Sequence, residues 1–181
     1  MGFGNRLATV RARRAREEWE PEHLVKVLVV NQNPGVSAQL TSALIGEQDI
    51  ELLEVRTPER AVRQLDDVGG FDLVLADADT APTGGFALSR DIKARERMGQ
   101  EVPPVVLLIA RDQDKFLAKW SEADAFIIKP PDPFNLHSII AAVVEGERVP
   151  DLPGVGSTGD LPEVLGVPEG TSGSPLGGAG Y

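Results

Sequence analysis

Short apolar runs alternate with segments of helical periodicity between residues 25 and 148. Five of these runs are rich in Val, Leu and Ile, as is typical of strands buried on both faces. They lie at 25–30, 50–55, 71–77, 105–110 and 125–128. Several intervening segments open with a capping residue and a proline, at Asn33-Pro34, Thr57-Pro58 and Asp132-Pro133. This alternation predicts an α/β domain with a five-stranded parallel sheet covered by helices on both faces.

The two flanking segments differ from this central part in composition. Residues 1–24 begin with Arg-rich sequence and continue with Glu-rich sequence, which predicts a charged helical arm. Its charges form either a solvated face or a docking surface for an acidic partner or anionic lipid. Residues 149–181 contain nine Gly and five Pro, which predicts a flexible tail. Its repeated Asp-Leu-Pro and scattered apolar residues leave open a segment that lies extended on a partner.

Charge and composition exclude several classes of function. The 181 residues carry a net charge of −10, which argues against general binding to nucleic acids. The chain has no cysteine, so thiolate catalysis, disulfides and cysteine-based zinc sites are excluded. No apolar run is long enough for a transmembrane helix, and the N-terminus lacks the features of a secretory signal. We therefore expect a cytoplasmic protein without direct membrane insertion.

Ligands of open parallel sheets bind at the carboxyl ends of the strands, so the loops that follow them are the candidate site. Three segments at such ends, 27–34, 71–77 and 123–130, together resemble the receiver domain of bacterial response regulators. The resemblance covers residues 25–147 and is closest to atypical orphan receivers of actinobacterial type. It implies the doubly wound, flavodoxin-like strand order 2-1-3-4-5, as in chemotaxis receivers.

The resemblance implies roles for three charged residues. Asp77, at the end of the third strand, matches the aspartate that accepts a phosphoryl group with the help of Mg²⁺. Lys129, followed by Pro130, matches the lysine that contacts this group. Asp79 lies where the family contributes a backbone carbonyl to the metal, so Asp77 and Asp79 are weak metal-ligand candidates. A purely structural ion pair between Asp77 and Lys129 is an equally plausible interpretation.

Two departures from the family pattern weaken the expected chemistry. The family has two adjacent acids after the first strand, but this chain has the amides Asn31 and Gln32. Amides carry no charge and hold Mg²⁺ poorly, so phosphoryl transfer should slow as well. The family's switch Ser or Thr is replaced by Ile109, which cannot bond a phosphoryl group, although Phe126 matches the family's aromatic switch position.

These departures predict a non-enzymatic pseudo-receiver that acts as a protein–protein interaction module and needs no cofactor. In the family, partners often bind the face formed by the fourth helix, fifth strand and fifth helix. Trp120 and Lys119 would belong to that face, with Phe126 at its edge. The competing interpretation of Trp120 is that it completes the core. Because the sequence after Glu147 is rich in Gly and Pro, we expect no DNA-binding output domain there.

The identity of the partner stays open at this point. A stable accessory or regulatory subunit of a larger complex is one possibility, and some proteins of this kind accompany the respiratory NADH dehydrogenase. Such a partner would place the chain at the cytoplasmic face of the membrane. The alternative function is a phosphoaccepting single-domain response regulator that uses Asp77 and Mg²⁺ in two-component signalling. A flavin or nucleotide enzyme is disfavoured, because the chain has no phosphate-binding glycine motif and only 5% aromatic residues.

Overall fold

The computed structural model describes residues 24–163. The predicted arm, apart from Leu24, and residues 164–181 lie outside this range. Within it, the strands are β1 (Val25–Val30), β2 (Ile50–Val55), β3 (Leu73–Asp77), β4 (Val105–Ile109), β5 (Ala125–Ile128) and β6 (Val155–Ser157). The helices are α1 (Pro34–Ala43), α2 (Pro58–Asp67), α3 (Gly84–Arg97), α4 (Lys115–Trp120) and α5 (Leu136–Val144). Among the described residues, no helix has both the length and the apolar content needed to cross a bilayer.

The strands form one sheet in the order β2-β1-β3-β4-β5-β6. The first five are mutually parallel, which confirms the predicted doubly wound order 2-1-3-4-5. The predicted five-stranded parallel sheet is present, and β6 adds a sixth, antiparallel strand at the edge of β5. In this pair Phe126 lies opposite Gly156 and Ile127 lies opposite Val155.

Both faces of the sheet are buried, which explains why the central strands are apolar throughout rather than alternating. On one face, α1 and α5 contribute apolar residues such as Leu40, Leu136 and Ile140 to the core. On the other, α2, α3 and α4 contribute residues such as Ala61, Ile92 and Ala118. Every residue of β3 and of β4 is buried, so these two strands form the centre of the domain.

Capping residues fix the starts of the first two helices as the sequence predicts. The Asn33 side chain accepts a hydrogen bond from the Gly35 amide at 2.8 Å, and the Thr57 side chain accepts one from the Arg60 amide at 3.3 Å. The last helix starts later than predicted. Asp132 instead caps a turn by accepting a bond from the Phe134 amide, and α5 begins at Leu136.

The segment 149–163, which we name the C-terminal strap, belongs to the folded domain. Val149 is buried in the core beside α5, and Leu161 packs against the opposite core. The backbone of the strap bonds to both ends of β5, with Ile128 N donating to Gly154 O and Thr158 N donating to Asp124 O. The predicted domain boundary at residue 148 is therefore wrong, and the domain continues to the end of the described residues.

Two of the three glycines in the strap, Gly154 and Gly156, have specific structural roles, although the glycine content suggested a flexible tail. A Cβ atom on Gly156 would lie 2.8 Å from the Phe126 ring, which is closer than carbon atoms approach each other in proteins. Gly154 adopts a positive φ of 74°, a conformation that other residues rarely tolerate. A count of Gly and Pro does not reveal such requirements, because they depend on the residue across the strand pair.

Gly156→Ala should destabilise the domain by about 1–3 kcal/mol, because the new methyl group overlaps the Phe126 ring. Equilibrium urea unfolding measures this change, and amide hydrogen exchange in β6 should rise with it. Gly159→Ala is the matched control in the same strap. A Cβ atom there meets nothing within 4 Å, so its effect should stay within about 0.5 kcal/mol. Equal effects of the two substitutions would contradict a packing role for Gly156.

Candidate functional site

Three polar residues meet at the carboxyl edge of the parallel sheet. Asn31 follows β1, Asp77 ends β3 and Lys129 follows β5. Because these strands run in the same direction, their ends lie at one edge, as the predicted site requires. The backbone also positions Lys129 directly, since its amide donates to the Ile109 carbonyl at the end of β4 at 2.8 Å.

The Lys129 ammonium group is bonded to two carboxylates. Its Nζ donates to Asp77 Oδ1 at 2.8 Å and to Asp79 Oδ2 at 2.9 Å. The Asp77 side chain is only 5% exposed, whereas that of Asp79 is 68% exposed. Asp77 Oδ1 accepts a further bond from the Asp79 amide at 2.9 Å. The ion pair between Asp77 and Lys129 is thus present, and it neutralises a carboxylate that has little access to water.

The environment of Lys129 favours its charged form. Partial burial opposes the charge and acts to lower the pKa of Lys129, but the hydrogen bonds and the negative charges of Asp77 and Asp79 outweigh it. The pKa of Lys129 is therefore raised above the ordinary lysine value of 10.5. At physiological pH the ammonium group is a permanent cation of the pocket.

Asn31 uses its amide group to build the turn between β1 and α1. Its Nδ2 donates to Asn33 O at 2.8 Å and to Ser37 Oγ at 2.9 Å, while its Oδ1 accepts from Asn33 N at 2.9 Å. The residue is fully buried, so these bonds satisfy polar atoms that have no access to water. An aspartate would lack the two donors, so the amide is matched to this network.

Gln32 connects two loops at the rim of the pocket. Its Nε2 donates to the Ala81 carbonyl at 2.7 Å, in the loop between β3 and α3. In the same loop, Thr80 Oγ1 donates to the Val30 carbonyl at 3.3 Å. Both contacts hold the loop that carries Asp79 against the end of β1. The side-chain nitrogen of Gln32 is therefore engaged in holding this loop.

The two positions that correspond to the family's switch are both buried. Ile109 is fully buried in the core formed with α3 and α4, where its apolar side chain suits its surroundings. Phe126 is also buried, and the strap covers it because Gly156 lies directly against its ring. An outward movement of Phe126 would require the strap to move as well.

A glycine pair after β3 is a part of the site that the motif analysis overlooked. A Cβ atom on Gly85 would lie 2.7 Å from the Asp77 carbonyl oxygen, and one on Gly84 would lie 2.8 Å from that of Ala78. The first turn of α3 thus packs directly against the backbone that presents Asp77. The signal in the sequence was the Gly-Gly pair that opens a helix soon after an apolar strand.

The structure separates the two predicted partner-binding residues on α4. Trp120 is 52% exposed, so it does not complete the core. The Arg90 guanidinium lies 4.2 Å from the centroid of the Trp120 ring. Phe116 and Leu117, which belong to the same helix α4, are also exposed. Lys119 instead points to the strap, where it donates to the Leu161 carbonyl and lies 3.7 Å from Glu163 Oε1. Its ammonium group is engaged within the chain, which the sequence analysis did not anticipate.

Comparisons with known proteins agree with this geometry. No protein-family model matches the chain. It is 30% identical over 126 residues to uncharacterized response regulatory proteins from two Mycobacterium tuberculosis strains, an alignment that covers 66% of this chain and 91% of each relative. The chain therefore belongs to the response-regulator receiver family, which confirms the resemblance drawn from its motifs.

Solved receiver structures share the fold. The signal receiver domain of a histidine kinase from Syntrophus aciditrophicus superposes with a TM-score of 0.58 at 27% identity, covering 67% of this chain and 91% of that one. The receiver domain of Ssk1 from Saccharomyces cerevisiae, solved in complex with the histidine phosphotransfer protein Ypd1, gives a TM-score of 0.60 at 23% identity. That alignment covers 67% of this chain and 89% of the yeast domain.

Lys129→Met should destabilise the domain by about 2–4 kcal/mol, because it leaves the buried Asp77 carboxylate without its cation. Chemical unfolding at neutral pH measures the loss. Since the pKa of Lys129 is raised by folding, its stabilising contribution is complete below the ordinary value of 10.5 and disappears as the pH rises through the folded-state value. The difference from the unmodified protein should therefore persist from neutral pH to about pH 10.

Two further variants test whether the buried charge is the cause. Asp79→Asn removes the exposed partner and should cost less than about 1 kcal/mol. Adding Asp77→Asn to Lys129→Met removes the unpaired charge and should restore part of the lost stability. A double variant that is less stable than Lys129→Met alone would refute the electrostatic explanation.

Proposed function

We propose that this receiver domain is a pseudo-receiver, a protein-binding module that works without phosphorylation of Asp77. The observation that carries the proposal is the Lys129 ammonium group, which bonds Asp77 and Asp79 together at 2.8 and 2.9 Å. The two positions of the family's acidic pair, Asn31 and Gln32, supply amides whose nitrogen atoms are bonded to other groups of the chain.

The donor set of this pocket does not suit Mg²⁺. The ion prefers several oxygen ligands, with carboxylates supplying the charge. Here Asp77 and Asp79 supply the carboxylates, but the Lys129 ammonium group already bonds both of them. Asn31 Oδ1, the amide oxygen that a metal would need, accepts the Asn33 amide instead. We therefore infer that the domain needs no metal cofactor, and we assign no step to one.

The route from Asp77 to the partner surface supports the same proposal. Ile109 has no hydroxyl group to bond a phosphoryl group, and the ring of Phe126 is covered by the strap. Even a modified Asp77 would lack the hydroxyl group at position 109, and the aromatic switch residue Phe126 would be held in place by the strap. The substitution at position 109 and the covering of Phe126 thus both support a function that does not depend on a phosphorylation switch.

Receiver domains of response regulators generally bind other proteins rather than act as enzymes, and we infer the same for this chain. The yeast relative of known structure was crystallised with a histidine phosphotransfer protein. The partner surface that we propose is the exposed apolar side of α4, formed by Phe116, Leu117 and Trp120. Aromatic residues often dominate binding energy, and Arg90 already orders the Trp120 ring.

The finer versions of this proposal concern the identity and place of the partner. A stable accessory or regulatory subunit role, for example with respiratory NADH dehydrogenase, stays a prediction. So do the cytoplasmic location and the association with a membrane through such a partner. The absence of nucleic-acid binding likewise stays a prediction based on the net charge of −10.

A phosphoaccepting response regulator is the second candidate function. The observation that favours it is the retained pair of Asp77 and Lys129 at the carboxyl edge of the sheet, in a chain whose relatives are named response regulatory proteins. In that case Mg²⁺ would have to bind despite the amides, and two-component signalling would pass through Asp77.

Incubation with Mg²⁺ and phosphoramidate separates the two functions. We expect the wild-type chain to form phosphoaspartate much more slowly than an ordinary receiver does. Intact-protein mass spectrometry measures this rate. The variant Asn31→Asp/Gln32→Asp should bind Mg²⁺ about tenfold more tightly or better, because it adds two negative charges to the pocket. Asp77→Asn is the control for phosphorylation at other residues. Rapid phosphorylation of the wild-type chain that disappears in Asp77→Asn would refute the pseudo-receiver proposal.

Trp120→Ala should abolish capture of the partner from a lysate of the native organism while leaving the fold intact. The loss of the Arg90 contact should cost only about 0.5–1 kcal/mol of stability, which thermal unfolding verifies. Phe134→Ala is the matched control, because this aromatic side chain is 92% exposed and lies outside α4. A protein retained by both the unmodified chain and Phe134→Ala but lost with Trp120→Ala identifies the partner. Equal retention by all three would exclude Trp120 as the anchor.

A further inference from the structure

A cluster of three side chains lies away from the carboxyl-edge pocket, where α5 meets the loop before β2. His137 Nε2 lies 3.0 Å from Asp49 Oδ2 and 3.7 Å from Glu47 Oε2. The three ligand atoms lie within 4.8 Å of one another, and all three side chains are partly open to solvent. Imidazole nitrogen and carboxylate oxygen are both ligands of zinc, and zinc sites with three protein ligands keep a fourth position for water.

The backbone places these side chains before any ligand arrives. The Asp49 carbonyl accepts the Val25 amide at 2.7 Å, where β1 and β2 begin to pair, and the Glu47 amide donates to Leu44 O at 3.2 Å. His137 follows Leu136, whose buried side chain anchors the first turn of α5 in the core. The site therefore requires only side-chain rotations to close, which lowers the entropic cost of binding.

The charge of the cluster also favours a cation. Among residues 24–163, no Lys or Arg forms an ion pair with Glu47 or Asp49, and His137 is the basic group beside them. With a neutral imidazole the three groups carry a net charge of −2, and a divalent cation would balance it. By contrast, both carboxylates at the carboxyl edge are already bonded to the Lys129 ammonium group.

We propose that Glu47, Asp49 and His137 form a binding site for a divalent transition metal of the zinc type. The nitrogen ligand selects Zn²⁺, Co²⁺ or Ni²⁺ over Mg²⁺ and Ca²⁺, which prefer oxygen ligands alone. Metal–ligand bonds of about 2.1 Å place tetrahedral ligand atoms about 3.4 Å apart, so Glu47 must rotate slightly toward the other two. This site is independent of the pseudo-receiver function.

The position of the site suggests what a bound metal would do. β2 and β5 are the outermost of the five parallel strands, yet the helix that follows β5 reaches the loop before β2 through His137. After α5 the chain returns to β5 as the strap. A metal would therefore join the start of α5 to the far side of the sheet and stabilise the whole C-terminal part of the domain.

Zinc titration of the full chain tests the site. We expect one equivalent to bind in calorimetry, and about 1 mM zinc to raise Tm by roughly 5 °C, while Mg²⁺ at the same concentration has no effect. The chain contains two histidines, His23 and His137, so proton NMR resolves which ring responds. The His137 ring signals should shift on zinc addition.

Matched variants assign the ligands. His137→Gln and Asp49→Asn should abolish the zinc response, and His23→Gln should retain it. Glu47→Gln leaves the close contact of His137 with Asp49 in place, so it tests metal ligation without removing that contact, and it should weaken zinc binding about tenfold. Absence of a zinc response in the wild-type chain would show a contact between side chains only and overturn the proposal. A response that survives His137→Gln or disappears in His23→Gln would overturn it equally.

Discussion

The hydrogen-bonded ion pairs of Lys129 with Asp77 and Asp79 determine what the pocket of this receiver domain is able to do. Parallel strands bring their carboxyl ends to one edge, and in this family that edge gathers charged groups. Here one ammonium group bonds both carboxylates, so the three side chains carry a net charge of −1 rather than −2. The Lys129 ammonium group thus supplies positive charge beside the carboxylates, which a bound metal ion would otherwise supply. The amides at Asn31 and Gln32 are then compatible with a stable pocket, because they add no further negative charge to it.

The fold could be predicted from the sequence because its main signals are local. Fully buried strands such as β3 and β4 require uninterrupted apolar runs, and the helices between them begin at side chains such as Asn33 and Thr57 that bond nearby amides. The close approach of Asp77 and Lys129 was predictable for a related reason. Both residues end or follow parallel strands, and the geometry of the sheet brings such ends together.

The parts that the sequence did not reveal depend on contacts between distant residues. The strap has the Gly- and Pro-rich composition of a flexible tail, yet Gly156 is required by a ring that precedes it by 30 positions in the chain. The sequence predicts that Lys119 is an exposed cation on a helix, but its ammonium group donates a hydrogen bond to the Leu161 carbonyl. His137 shows no motif, because its neighbours Glu47 and Asp49 lie in a loop that only the folded chain brings close. Composition and periodicity describe segments one at a time and leave such pairings out.

The strap opposes the side-chain movement that a phosphorylation switch would need. In a switching receiver, modification at the carboxyl edge must reach the surface near β5 through side chains that have two arrangements. Here Ile109 is fixed in an apolar core, and Phe126 is held under a strand that the same chain supplies. Movement of Phe126 would break the backbone bonds of β6 as well as its own packing, so the free energy of the alternative arrangement is raised. A surface whose conformation is fixed in this way suits stable association with a partner better than it suits a switch, and the exposed side of α4 beside it remains available for that association.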